Sequence, residues 1–417
     1  MYSLKTMDKS RLFQDSFVLF IGALISGAGN FVFQMLMGRM LSSAEYGIMW
    51  TMLGCMMILT VPSMAIQNTL AYTIASMDDA EKGAPELFRR SMRKVSRYVL
   101  PLLCSGIVFS KVIAGFFKIP TIWPVIFCAI CLLFNLYYPV LSGIAQGYQR
   151  FVVLSAAGIA GVAIRIAGST GLVGIFHNAS AALAGTALAC GGATVLIAVA
   201  LRKILSGPKI ESGLDRTQLY KYFRPVFFSA GVLSLATHSD LLLVKRFFDA
   251  ETAGRYAQAG AVARLVCYIT GPVLTAIFPK VAKGRSATER RHLFLHGFGL
   301  SLLVVAAVVA GCLVLPQIPA LVLFKTTDPE LLGLIRFVVL AFSPLPVFTV
   351  VVHYLMARKR FIFLWFCVPA VLAWIVVSIF LHTSIQVIIA GLGFTSMVLL
   401  SISLLAVWRD FRADCPE

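Results

Sequence analysis

Twelve stretches of roughly twenty apolar residues run through this chain, and they fix its fold class before any motif is read. A helix needs about 20 such residues to cross the ~30 Å hydrocarbon core of a bilayer. The stretches are Phe17–Met37, Tyr46–Ile66, Val99–Phe117, Ile122–Ile144, Val152–Ile175 and Ala179–Leu201, then Pro225–Val244, Ala253–Pro279, Leu293–Leu315, Leu331–Tyr354, Ile362–Leu381 and Ile385–Trp408. Hydrophobic residues make up 59% of the 417 positions and charged ones 13%. Soluble domains average roughly 45–50% and about 25%, so a soluble core of this length could not hide the excess. The reading is an all-α polytopic membrane protein of about twelve transmembrane helices. Disordered, collagen-like and disulfide-scaffold classes are excluded.

The net charge of +18 comes from 36 Lys and Arg against 18 Asp and Glu. In a soluble chain it would suggest nucleic acid. Here 26 of the cations fall on the side that holds the N-terminus, the even-numbered loops and the C-terminus. Five fall opposite (Arg39, Lys118, Lys245, Arg246, Lys325) and five inside the spans (Lys111, Arg165, Arg255, Arg264, Arg336). Cytoplasmic loops are enriched in Lys and Arg, which predicts cytoplasmic termini and removes any need for a nucleic-acid partner. The first span is too long for a cleaved signal peptide and lacks a small-residue cleavage site.

The external loops are short and leave no soluble domain, which disfavours a glycan polymerase or ligase. The polar stretches Ser76–Arg97 and Lys209–Arg224 read as short basic amphipathic helices on the inner surface, with Phe88, Met92 and Val95 forming the apolar face of the first. Contact with membrane lipids explains such segments. Cys128-x-x-Cys131 lies in an apolar helix without neighbouring ligands, and His292 and His296 lack an acidic third ligand, so neither pair suggests a metal site.

Two segments repeat. Arg39 is followed eight positions later by Gly47, with Glu45-Tyr46 between; Arg246 is followed eight positions later by Gly254, with Glu251 between and Tyr256 just beyond. The offset is 207 residues, and Pro62 and Pro272 each interrupt the span that follows. With six spans on each side, this divides the chain into lobes 1–208 and 209–417. An even number of spans per lobe makes both enter from the same side. The expectation is a pseudo-two-fold axis along the membrane normal, a central cavity, and alternating exposure of it.

The stretch Gly38-Arg39-x-Leu41-x-x-x-Glu45-Tyr46-Gly47 resembles the N-terminal signature of Wzx-type polysaccharide flippases. Ser239-Asp240, Lys245, Glu251-x-Ala253-Gly254-x-Tyr256, Pro272 and Phe278-Pro279 resemble the second-lobe signature. This family belongs to the multidrug/oligosaccharidyl-lipid/polysaccharide (MOP) exporter superfamily, alongside MATE drug antiporters and the MurJ lipid II flippase. The resemblance implies a non-enzymatic flippase of a bacterial inner membrane. Its partner would be an oligosaccharide on a polyprenyl pyrophosphate, with contacts to glycan polymerase or export machinery. The alternative is a MATE-like, ion-coupled drug or cation antiporter.

Moving a sugar diphosphate through hydrocarbon asks for a wet, cationic cavity, so cations within spans become the candidates. Arg165 and Arg264 sit well inside theirs, and a planar guanidinium binds phosphate bidentately. The competing reading is a structural pair with a helix carbonyl or with Asp240. Arg39, Lys111, Arg255 and Arg336 lie near outer ends, where they either snorkel to the interface or face the cavity and draw an anionic headgroup outward. Asp240 is the candidate for proton or sodium coupling, or else the counter-ion of Arg264. Asn30 and Gln34 share a small-polar stripe with Gly27 and Gly38, and Gln67 and Asn68 could supply an opposite wall. Glycine and alanine crowd the fifth and sixth spans, which favours close helix packing. No phosphate-cradling Gly-x-x-x-x-Gly-Lys pattern is present, so no cofactor is expected; the coupling ion would be H+ or Na+.

Overall fold

The computed structural model describes residues 9–75, 77, 80–206, 216–283, 287–358 and 360–413. Among them every regular element is a helix. In order these are α1 Lys9–Met40, α2 Ser43–Leu59, α3 Val61–Ala75, α4 Ala80–Val108, α5 Ser110–Phe116, α6 Trp123–Gly147, α7 Phe151–Phe176 and α8 Ala179–Leu205. Then come α9 Arg216–Phe247, α10 Ala250–Lys283, α11 Ala287–Val314, α12 Gln317–Phe324, α13 Pro329–Phe342, α14 Pro344–Ala357, α15 Leu364–Phe380 and α16 Ile385–Ala413.

All twelve expected spans fall on helices. By length and composition eight helical segments can cross a membrane, or ten if two bent pairs each count as one. The bent pairs are α2 with α3, turned by 43° just before Pro62, and α4 with α5, turned by 66°. The eighth expected span lies in α10, whose first half carries Glu251, Arg255 and Arg264. The eleventh lies in α15, whose 17 residues reach about 26 Å, just short of the hydrocarbon thickness. The tenth is broken at Ser343 by Pro344, since proline cannot donate to the preceding turn.

The chain forms two compact units. One comprises Met1–Leu41 and Leu59–Phe227; the other comprises Ser42–Ile58 and Phe228–Glu417. The division expected at 208/209 falls within 207–215, outside the described residues. In the first unit α7 packs on α8 and α1, and α6 packs on α8, α3 and α4. The close α7–α8 approach is made by small residues, with Gly168 against Gly185 and Gly161 against Ala193. A tight turn joins these two helices. His177 closes α7 in the left-handed region, and the Asn178 side chain then caps α8 by accepting from the Ala181 N–H at 2.9 Å.

The segment 83–97 is not a helix lying on the membrane surface, as its composition suggested. It is the first half of α4, continuous with the third span. Its apolar face, Phe88, Met92 and Val95, packs on a core of Leu70, Ile74, Val140 and Ile197. Periodicity shows that a face is apolar; it does not say whether lipid or protein covers it.

In the second unit α10 packs on α11, α13 and α14, and α16 on α13, α14 and α15. The repeated motif shows its purpose here. Ser42 and Asp249, also 207 residues apart, occupy matching caps: the Ser42 hydroxyl accepts from the Glu45 N–H, and the Asp249 carboxylate from the N–H groups of Glu251 and Thr252. The Thr252 and Glu251 amides hold the Asp249 carboxyl below its ordinary range. Stabilisation from this cap is therefore present above the usual carboxylate pKa and fades as pH falls through the lowered value. Beyond the caps, Gly47 meets Gly254 so closely that a Cβ on Gly47 would stand 2.9 Å from the Gly254 Cα. A Cβ on Gly254 would collide with the Ser43 carbonyl. The neighbouring tyrosines of the two motifs, Tyr46 and Tyr256, are fully buried.

Gly254→Ala should therefore destabilise the protein by about 1–3 kcal/mol, as overpacking a dense contact does. Thermal unfolding in detergent would show it as a lowered midpoint. Gly311→Ala, where nothing lies within 4 Å of the new methyl, should leave the midpoint unchanged or slightly raised.

Candidate functional site

Arg165 projects from α7 in the first unit and is held from three directions. Its Nη1 donates to Asn30 Oδ1 on α1 at 3.0 Å, and its Nε to Thr186 Oγ1 on α8 at 3.3 Å. Its guanidinium carbon lies 3.8 Å from the centroid of the buried Phe33 ring. The anchors are themselves fixed. Asn30 donates to the Ser26 carbonyl at 2.9 Å, and Thr186 to the Ala182 carbonyl at 2.9 Å. Asn30, Thr186 and Phe33 are all neutral, and they position the guanidinium. One turn along α1 the Gln34 side chain is buried, and its Oε1 finds no partner among the described residues.

Gln67 and Asn68, the residues expected for an opposite wall, have no contact with Arg165 recorded among the described residues. Both lie on α3, which packs on α6 and α4, and the Gln67 amide donates to Gln146 at 3.1 Å. Asn68 is half-buried there.

Arg264 is a different case. It is 4% exposed, and Asp240 is fully buried. The Arg264 Nη2 donates to both Asp240 oxygens, at 2.6 and 2.8 Å. Its Nε and Nη2 also donate to the Thr237 carbonyl, and its Nη1 to the Gly260 carbonyl at 3.0 Å. Tyr256 donates its hydroxyl to Asp240 at 2.7 Å. The substrate-contact reading of Arg264 gives way to the structural one, because the fork is spent on the carboxylate and two carbonyls. Asp240 is likewise engaged twice, as a counter-ion.

Other charges also find protein partners. Arg255 binds Glu251 one turn back, Asp328 at 3.0 Å and Glu330 at the start of α13, two of these acids being largely exposed. Arg336 donates to the Leu313 carbonyl at 3.1 Å. Arg39 and Lys111 are exposed. Lys245, assigned to an external loop by hydropathy, is 2% exposed in the second unit. Asp410 is buried and receives Arg358 at 2.9 Å and Arg360 at 2.7 Å. Its one sequence signal is a lone acid between Arg409 and Arg412. Among the described residues no three His, Cys, Asp or Glu side chains gather to hold a metal.

A family model described as polysaccharide biosynthesis protein matches residues 36–325. The chain belongs to this polysaccharide biosynthesis family. No curated protein matches the sequence. Among solved structures, an inward-facing MATE multidrug transporter of the MOP superfamily superimposes with a TM-score of 0.71 at 12% identity, over 93% of this chain and 95% of the other. The inward closed lipid II flippase MurJ gives 0.69 at 12% identity, over 96% and 90%. A MOP superfamily transporter from Pyrococcus furiosus, described as having a binding pocket of reversed polarity, gives 0.69 at 13% identity, over 97% and 96%. The fold is that of MOP transporters, and the chain is a multi-pass membrane protein.

In this family member the repeat extends to the arginine sites. Asn30 and Thr237 are 207 residues apart, as are Phe33 and Asp240. The same two positions on α1 and α9 thus hold an arginine in each unit. Once an amide and a ring face do it, once a carbonyl and a carboxylate. The arginines themselves are not repeat-related.

The Arg264–Asp240 assignment predicts strong coupling. Removing either partner alone should cost about 3–5 kcal/mol, because the other is left charged and buried. Arg264→Met with Asp240→Leu should cost much less than the two single changes together. A double-mutant cycle on thermal unfolding measures this; additive single effects would contradict the pairing.

Proposed function

We propose that this protein is a transporter that carries polyprenyl-diphosphate-linked oligosaccharide across a bacterial inner membrane by alternating access, with its termini in the cytoplasm. Membership of a polysaccharide biosynthesis family together with the MOP fold supports a transport role in glycan assembly rather than an enzymatic one. Arg165 carries the choice of cargo. It is a cation inside an apolar helix, preorganised by Asn30, Thr186 and Phe33, and it suits a diphosphate. Gln34, one turn away, has an amide suited to a sugar hydroxyl. A cation antiporter would instead want a carboxylate facing its cargo, and Asp240 is committed to Arg264 and Tyr256.

The decisive variant is Asn30→Asp. It is nearly isosteric and places a carboxylate at the Arg165 guanidinium; the new ion pair offsets the bond lost from Asn30 to the Ser26 carbonyl, and thermal unfolding checks that the protein stays folded. Translocation of a lipid-linked glycan in proteoliposomes should nevertheless fall at least tenfold, as it should in Arg165→Ala, since a charge-assisted hydrogen bond is worth about 1.5–3 kcal/mol. Normal glycan transport by a folded Asn30→Asp protein would remove Arg165 from the cargo site. Export of organic cations with no glycan movement would replace the flippase reading with the antiporter one.

A further inference from the structure

The first unit contains a second feature that the cargo reading does not use. A cavity of about 660 Å³ lies along α3, α4 and α6. One wall is a ladder on α4: Arg90, Lys94, Tyr98 and Leu102, each one turn beyond the last. The facing wall on α3 is mostly apolar, with Pro62, Ile66 and Leu70. The ladder is graded. Two cations stand at one end, a phenol 79% exposed follows, and hydrocarbon side chains take over beyond it. At 1.5 Å per residue, Arg90 to Leu102 spans about 18 Å, more than half of a bilayer's hydrocarbon core.

We infer that this groove binds an anionic phospholipid of the leaflet facing the Lys/Arg-rich loops, with its phosphate between Arg90 and Lys94 and an acyl chain running past Tyr98 to Leu102. Charge and polarity change along the groove in the order in which they change along such a lipid: phosphate, glycerol ester, hydrocarbon. Tyrosine is suited to the ester level because its ring is apolar and its hydroxyl wet. Among the described residues the polar groups of the wall, Arg90, Lys94, Ser91, Tyr98, Thr69 and Thr73, include no amide and no carboxylate. Such a wall suits a compact phosphate headgroup better than an oligosaccharide. The inference is independent of the flippase reading.

Native mass spectrometry of the full chain in mild detergent tests it, with phosphatidylglycerol and phosphatidylcholine offered together. Phosphatidylglycerol should be retained preferentially. Arg90→Gln and Lys94→Gln should each lower that preference about fivefold, the weight of one cation near an anionic surface. Arg93→Gln and Arg97→Gln, cations of the same helix outside the cavity lining, should not change it. Ile66→Trp should reduce retention of both lipids by filling the apolar end. Thermal unfolding identifies any variant that fails to fold, and Arg90→Lys then serves as the conservative replacement that should keep the preference. Equal losses at Arg93 and Arg97 would reduce the effect to general surface charge and overturn the site. Competition by inorganic phosphate as effective as by the lipid would make it a free-anion site. Displacement of phosphatidylglycerol by purified lipid-linked glycan would give the groove to the cargo instead.

Discussion

A guanidinium within a bundle of apolar helices has to be met by something, because its insertion costs about 2.5–3.5 kcal/mol and more if it is left bare. The two units answer this demand in opposite ways. Around Arg264 a carboxylate, two backbone carbonyls and, through Asp240, a tyrosine hydroxyl close the account. The result ties α9 to α10 by a contact that cannot slide without exposing charge. Around Arg165 an amide, a hydroxyl and an aromatic face, all neutral, fix its direction. The first arrangement specifies structure. The second holds its arginine by neutral groups.

The repeat is fixed by a different constraint, the closeness of two backbones. Gly47 and Gly254 exist as a pair: each leaves room for the other's helix, and the caps on Ser42 and Asp249 set where those helices begin. The residues that mark the family resemblance, the glycines and the buried tyrosines, are thus packing residues. Their presence identifies an architecture and does not identify a cargo.

Much of the fold was legible because the bilayer demands it. A backbone that crosses hydrocarbon must satisfy its own hydrogen bonds, so apolar runs translate into helices almost without ambiguity. The internal breaks were partly legible: Pro62 marks the bend after α2, whereas the break at Pro344 passed unnoticed inside an apolar run. Partnership was the least legible layer. Asp240 was an explicit candidate for Arg264 because both stood out as lone charges in apolar sequence. Lys245, the Arg255 cluster and Asp410 were missed because their partners come from distant helices and their charges sit where a solvated loop or a snorkelling chain is the ordinary explanation. Ser76–Arg97 shows the same limit, since an amphipathic face looks identical whether lipid or its own core covers it.

The 207-residue correspondence joins these strands. If the ancestral repeat unit placed an arginine-holding pair one turn apart on its first helix, duplication supplied two such cradles. Each then recruited an arginine from a different helix: α7 in the first unit, α10 in the second. The pair Thr237 and Asp240 traded ligand capacity for rigidity, because a carboxylate that neutralises its arginine leaves nothing for an anion to bind. The pair Asn30 and Phe33 kept the opposite balance. That asymmetry follows from one substitution class at one repeat position, an aromatic ring where the other copy has an acid.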